Sequence, residues 1–308
     1  MLTLQRILCP IDFSESSRQA LKYSIALSAW YEAPLTVLHV CVDLPVFEMA
    51  SPFGHSAATA VVPEESQLAE RRAAVRRFVT SEVSDDEIDI VVREGTDAKA
   101  EILEEAAAEN ASLIVMGTHG RSGIDHLLLG SITEKVLRKS PCPVLAVPPH
   151  AAAVACGVSP VFKRIVCAID FSTGSLLALN VALALAQEAD ARLTLLHAIE
   201  FPLALREVVF STDADVDRLH AAAEAEYLRR LRALVPAQAR IYCTVTTQVN
   251  EGKPAREIER VAAAEQADLI VMGVQGRGAV DLMVFGSNTN AVIRSAACPV
   301  LVVPTPRN

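Results

Sequence analysis

The sequence predicts an α/β chain of two tandem modules, each a parallel sheet with crossover helices. Three observations lead there. One long stretch of sequence occurs twice, its strand-like runs are short and apolar on both faces, and helical patterns separate those runs. At 308 residues the chain is also about twice the usual size of a single domain.

The repeat comes first. Arg6–Ser14 (RILCPIDFS) returns 158 residues later as Arg164–Ser172 (RIVCAIDFS), and Leu38 with His39 returns at the same offset as Leu196 with His197. Leu113–Gly117 returns as Leu269–Gly273, and Cys142–Leu145 as Cys298–Leu301, both 156 residues on. The second copy is therefore two residues shorter in its middle. Pro148 to Pro160 is rich in Pro and Ala, carries no full charge and follows no period, which marks a linker. The expected units are residues 1–148, a linker at 149–160, and residues 161–308.

In the first copy, strands are expected near 5–10, 35–41, 88–92, 112–117 and 143–147, and helices near 15–32, 65–83, 98–109 and 131–139. The Pro-rich segment 41–64 breaks the pattern after the second strand, and its counterpart, 200–215, is poorly matched. A loop leaving the carboxyl end of a strand borders the ligand crevice of an open α/β sheet. These segments thus either set ligand or partner preference or are tolerated insertions.

Acidic residues outnumber basic ones by 37 to 28, so the chain's field repels a polyphosphate backbone and nucleic acid is not an expected partner. A small phosphorylated ligand stays open, because backbone N–H groups at a helix start hold phosphate locally. The seven cysteines show no C-x-x-C spacing and are read as reduced, small apolar residues. The N-terminus lacks an export pattern, and prolines break the one long uncharged stretch, 140–162. The expected compartment is the cytoplasm, with no membrane segment.

The chemistry is concentrated in glycines. Gly117-Thr118-His119-Gly120-Arg121 is followed, with nine residues between Gly120 and the next glycine, by Gly130-Ser131-Ile132-Thr133. The second copy repeats the spacing as Gly273-Val274-Gln275-Gly276-Arg277 and Gly286-Ser287-Asn288-Thr289. A glycine ending a buried strand permits a sharp turn and a close ligand approach, and the second glycine extends that bare surface. The third glycine and its serine open a helix, whose unpaired N–H groups and positive dipole end favour phosphate oxygens. Ser131 and Glu134 also fit a capping box, a purely structural account, but the second copy has Asn290 at the Glu position and keeps the glycines and serine. Arg121 and Arg277 are placed either to pair with phosphate or to face solvent. Neither G-x-x-x-x-G-K-[ST] nor a G-x-G-x-x-G opening the first helix occurs in either copy.

The G-x-x-G-x9-G-[ST] spacing, with the opening I-L-C-P-I-D-F-S and the L-H-V at the second strand, resembles the ATP-binding branch of the universal stress protein family, in a form with two such domains in tandem. The resemblance implies a Rossmann-like (adenine nucleotide alpha hydrolase-like) open five-stranded parallel sheet, order 3-2-1-4-5, in each half, with ATP lying across the strand ends. It implies Asp12 beside the adenosine, Val40 offering backbone groups to adenine, and Gly117, Gly120, Gly130 and Ser131, with Ile132 and Thr133 behind them, along the ribose and phosphates. In the second copy the matching positions are Asp170, Ala198, Gly273, Gly276, Gly286, Ser287, Asn288 and Thr289. Pro10 becomes Ala168 and Val40 becomes Ala198, so the apolar wall changes and unequal affinity is expected. The resemblance further implies pairing of the two halves through their last strands; a homodimer of whole chains stays open.

Asp12 and Asp170 also admit a structural reading, ending a strand and helping to cap the next helix. His119 is the histidine best placed to act on a bound phosphate, but its counterpart is Gln275; His39 and His197 recur in apolar runs and read as satisfied core histidines. No protein-built metal site shows in the spacing, so any Mg2+ would arrive with ATP. Three functions follow: an ATP-binding stress or signalling protein whose occupancy controls its shape or a protein partner, an ATP-consuming enzyme using the same crevice, or a scaffold with empty sites.

Overall fold

The computed structural model describes residues 4–42, 65–83, 88–120, 129–154, 160–200, 213–276 and 285–305. In the first half, β1 (Ile7–Ile11), α1 (Glu15–Tyr31), β2 (Leu35–Val42), α2 (Glu65–Thr80), β3 (Asp89–Gly95), α3 (Ala98–Ala108), β4 (Leu113–Gly117), α4 (Ser131–Lys139) and β5 (Val144–Val147) alternate as expected. The second half runs β6 (Arg164–Ala168), α5 (Thr173–Ala189), β7 (Arg192–Ile199), α6 (Asp213–Ala233), α7 (Ala239–Tyr242), β8 (Thr244–Glu251), α8 (Pro254–Ala264), β9 (Leu269–Gly273), α9 (Ser287–Ser295) and β10 (Val300–Val303).

Each half has the strand order 3-2-1-4-5, but the two sheets are one. The order is β3-β2-β1-β4-β5-β10-β9-β6-β7-β8, and every neighbouring pair is parallel except β5 with β10. Leu145 stands opposite Leu301 at that antiparallel seam, so each half closes the other's free edge. The halves therefore pair through their last strands.

Alternation along the strands builds a core on each face. Ile7, Cys9 and Ile11 of β1 and Leu113 and Val115 of β4 point to the face covered by α1, α2, α5 and α6, while Leu8, Ile114 and Met116 point to the face of α3, α4, α8 and α9. On the first face both halves share one core. Tyr23 of α1 stacks on Phe162 after the linker and donates its hydroxyl to the Ala152 carbonyl at 3.0 Å. The Tyr31 hydroxyl donates to Glu188 of α5 at 2.8 Å.

Two expectations are revised. The apolar-on-both-faces pattern fits β1, β4 and β5, but the outer strands β3 and β8 are only partly buried, because an edge strand has a neighbour on one side alone. β3 also runs on to Gly95, past its expected end at 92, since its pairing continues to Val42 and its charged residues find partners, Arg93 with Glu101 and Glu105. Of the segments 41–64 and 200–215, read either as setting ligand or partner preference or as tolerated insertions, 43–64 and 201–212 lie outside the described residues.

Candidate functional site

At the carboxyl ends of the strands each half opens into a cavity, about 630 Å3 in the first and about 570 Å3 in the second. An open parallel sheet places its crevice there because the first helix leaves to one face and the fourth to the other.

The β1–α1 turn forms one wall. Asp12 Oδ1 accepts from the Ser14 backbone N–H at 3.0 Å and from the Ser14 hydroxyl, and Ser14 in turn caps α1 by accepting from Ser17 N–H at 3.1 Å. Asp170, Ser172 and Ser175 repeat the arrangement. The structural reading of both aspartates thus holds for one oxygen; the other, Oδ2, faces the glycine loop, 3.1 Å from where a Cβ would stand at Gly120 and 2.6 Å from that point at Gly276. Between Asp and Ser, Phe13 and Phe171 adopt left-handed φ values of 65° and 63°, uncommon for a bulky residue. The hydrogen bonds that flank them and their rings' contacts with His39 at 4.6 Å and His197 at 5.0 Å hold that conformation.

Pro10, Val40 and Met116 line the first cavity's apolar side; Ala168, Ala198 and Met272 line the second's. Beyond Ile11, β1 no longer pairs with β2, so the backbone edge of Val40 turns towards the cavity. His39 Nδ1 sits 2.9 Å from the Ile11 carbonyl and His197 Nδ1 2.7 Å from that of Ile169, so both rings tie the second strand to the first, as expected of satisfied histidines.

The glycines divide in role. A Cβ at Gly117 would lie 2.4 Å from Ser16 Oγ and 2.7 Å from the Ser16 carbonyl carbon, and one at Gly273 would lie 2.6 Å from the Gly174 carbonyl carbon. Their bareness serves the packing of α1 and α5 onto the strand ends, and both residues also border the cavities. Gly120 and Gly276 meet only the aspartate side chain and border the cavity.

Gly130 and Gly286 are the N-caps of α4 and α9, and neither helix start has a side-chain cap. The capping box is absent: Ser131 is the first helical residue, and Glu134 pairs along the helix with Arg138 at 2.6 Å. The amides of this first turn border the cavity with Ser131 and Ile132, or Ser287 and Asn288. Thr133 and Thr289 also border it, yet their hydroxyls donate to the carbonyls of Gly117 and Gly273 at 2.8 and 3.0 Å, tying helix to strand. Arg121 and Arg277 lie outside the described residues.

Sequence reasoning missed the residues that enter from elements remote in the chain. Arg71 of α2, paired with Glu94 at 3.1 Å, lines the first cavity, as does Ile102, and Tyr227 of α6 lines the second; Glu200, which opens the 200–215 segment expected at the crevice, and Phe285, next to Gly286, line the second as well. Nothing in the local pattern around Arg71 or Tyr227 distinguishes either from an ordinary helix residue.

The thiols behave as core groups. Burial pushes Cys9 and Cys298 up to about 12 and raises Cys142, Cys167 and Cys243 as well. Cys156 lies outside the described residues. Among those residues no cluster of three or more His, Cys, Asp or Glu could hold a metal, and no helix is long and apolar enough to cross a membrane.

A family model described as the universal stress protein family matches residues 3–148 and again 162–304. The chain belongs to the universal stress protein family. A universal stress protein of Methanocaldococcus jannaschii is 32% identical over 143 residues, 46% of this chain and 81% of that one. One from Mycolicibacterium smegmatis is 25% identical over 304 residues, 96% of each, so the tandem arrangement is shared along the whole length. The crystal structure of a universal stress protein from Archaeoglobus fulgidus superposes with a TM-score of 0.63 at 24% identity, covering 97% of this chain and 98% of that one, which establishes the common fold.

Proposed function

We propose that this universal stress protein binds ATP in both halves, as domains 1–148 and 161–308 joined by 149–160, and acts in stress response or signalling through occupancy rather than turnover. The observation that carries the reading is the duplication of the cavity: in two places, the same positions bring together an apolar wall, an aspartate, a bare glycine and a helix start left without a side-chain cap. Adenine would lie against Val40 or Ala198, the ribose near Asp12 or Asp170, and the phosphates at Gly120, Gly130 and Ser131, or Gly276, Gly286 and Ser287. The strand order puts the base and phosphate ends two strand spacings apart, ~10 Å. Uncapped amides and the positive end of the dipole stabilise phosphate charge at α4 and α9.

Mg2+ would enter with the nucleotide. His39 and His197 are engaged with strand carbonyls, which favours positioning over proton transfer. Bound ATP would bridge the β1–α1 turn and the start of α4, two elements on opposite faces, and so favour one arrangement of the surface offered to a protein partner. The cytoplasm, where ATP is abundant, suits this role.

Calorimetric titration of ATP, ADP and AMP into the wild type, Gly120→Val and Gly276→Val tests the reading. Two equivalents for the wild type and one for each variant are expected. No binding of any adenine nucleotide by the wild type at millimolar concentration overturns it, and sustained ATP turnover that Gly120→Val abolishes overturns the non-enzymatic part.

A further inference from the structure

We infer that the two cavities rank adenine ligands differently by phosphate charge: both take ATP, but the second favours a nucleoside or nucleoside monophosphate over the triphosphate more than the first does. This rests on the nucleotide-binding reading above and adds a charge rule that the two copies do not share.

The rule comes from two exchanges in the cavity walls. The helix packed beyond the second strand contributes one side chain to each cavity, Arg71 from α2 in the first and Tyr227 from α6 in the second. They stand 156 residues apart, the offset of the glycine motifs. At the end of the second strand, Val42 lines the first cavity, and Glu200, 158 residues later, lines the second. Among the described residues the charged lining is therefore Asp12 and Arg71 in one half and Asp170 and Glu200 in the other, a difference of two unit charges with histidines neutral.

Most described neighbouring charges match between the copies; the exception lies just outside the lining, where Asp97, paired with Lys99, precedes Ala98 in the first copy and the exposed Lys253 precedes Pro254 in the second. Glu94 at the end of β3 and Glu251 at the end of β8 occur in both copies, paired with Arg71 and with His220. Each copy also holds an arginine over an aromatic ring outside the cavity lining, Arg18 over Phe78 at 4.3 Å and Arg230 over Phe171 at 4.0 Å. The phenol of Tyr227 is neutral and is held by its ring contacts, 4.3 Å to His197 and 5.8 Å to Phe171.

Glu200 follows β7, and the phosphate end follows β9, with β6 between them. Two strand spacings make ~10 Å, about one Debye length at 0.1 M salt. At that distance two unit charges acting on the roughly four negative charges of ATP change its affinity relative to uncharged adenosine by about fivefold to tenfold, with AMP in between.

The test measures Kd for ATP, AMP and adenosine on the full chain at about pH 8, above the ordinary titration of histidine. Gly120→Val leaves the second cavity to report, and Gly276→Val leaves the first. The ratio of the ATP to the adenosine Kd is expected to be about fivefold to tenfold higher for the second cavity, with the gap widening at low salt and closing at high salt. Tyr227→Arg with Glu200→Val should bring the second cavity's ratio to that of the first. The same exchange in the otherwise wild-type chain, read as a two-site isotherm, keeps the test valid if Gly120→Val loses folded structure. Equal ratios in the two cavities, or a ratio that the exchange leaves unmoved, overturn this inference while the nucleotide-binding reading stands. Absence of binding by every adenine compound overturns both.

Discussion

Gly117→Ala separates packing from ligand binding in the glycine loop. The added methyl carbon would stand 2.4 Å from Ser16 Oγ and 2.7 Å from the Ser16 carbonyl carbon, where ordinary contact begins at 3.4 Å. Ser16 lies in the first turn of α1, held by the Ser14 cap, so the overlap can be relieved only by shifting the helix away from β4. Over-packing of this kind costs about 2 kcal/mol, within a usual range of roughly 1–3. For a chain of 308 residues that lowers Tm by about 3 °C. Gly117 is not at positive φ, so backbone strain adds nothing. Gly120→Ala is the contrasting variant: its methyl would meet only Asp12 Oδ2, at 3.1 Å, so Tm should stay within about 1 °C while nucleotide affinity falls. Thermal unfolding by circular dichroism gives Tm, and calorimetry on the folded protein gives affinity. If Gly117→Ala kept the wild-type Tm and lost the nucleotide, the space at Gly117 would belong to the ligand and the packing argument would fail.

Two further outcomes follow from the same contacts. Ser14→Ala and Ser172→Ala should each cost about 1 kcal/mol in urea unfolding, because each removes a helix cap and one partner of the site aspartate; a loss indistinguishable from zero would mean that the β1–α1 turn is held by its aromatic contacts alone. The buried thiols set an alkaline limit. A thiol whose folded pKa lies above its unfolded value, about 8.5, contributes stability that is complete below the unfolded value and lost as pH rises towards the folded one. Stability should therefore decline between that unfolded value and about 12, the value for Cys9 and Cys298, and Cys9→Ala should flatten the decline. Of the six described thiols, only Cys41, which borders the first cavity, should react with a thiol reagent at about pH 8 in the native protein; reaction of Cys9, Cys142, Cys167, Cys243 or Cys298 would show that the core opens.

The site was legible where its residues are close in sequence. Gly130 and Ser131 are neighbours on one helix start, and their repetition at Gly286 and Ser287 survives any change in the surrounding packing. Asp12 was legible as a residue with two readings; the turn bears out the structural one with one carboxylate oxygen, and the other oxygen faces the glycine loop. Arg71 and Tyr227 were not legible, since a residue on an amphipathic helix carries no mark of which cavity it will border. Gly117 was read only for the cavity it borders, for a related reason. A bare position at a strand end looks the same whether its empty side faces a ligand or a helix.

By itself, then, the sequence determined the duplicated α/β architecture and the positions of the two helix starts, because apolar periodicity and glycine spacing are local properties that repetition makes unambiguous. Only the tertiary structure decided that β5 and β10 join the two sheets into one, which glycines make room for helices, and that the two cavities carry different charge. Those depend on which atoms meet across long stretches of chain: Leu145 meets Leu301, Gly117 meets Ser16, and α6 delivers Tyr227 where α2 delivers Arg71.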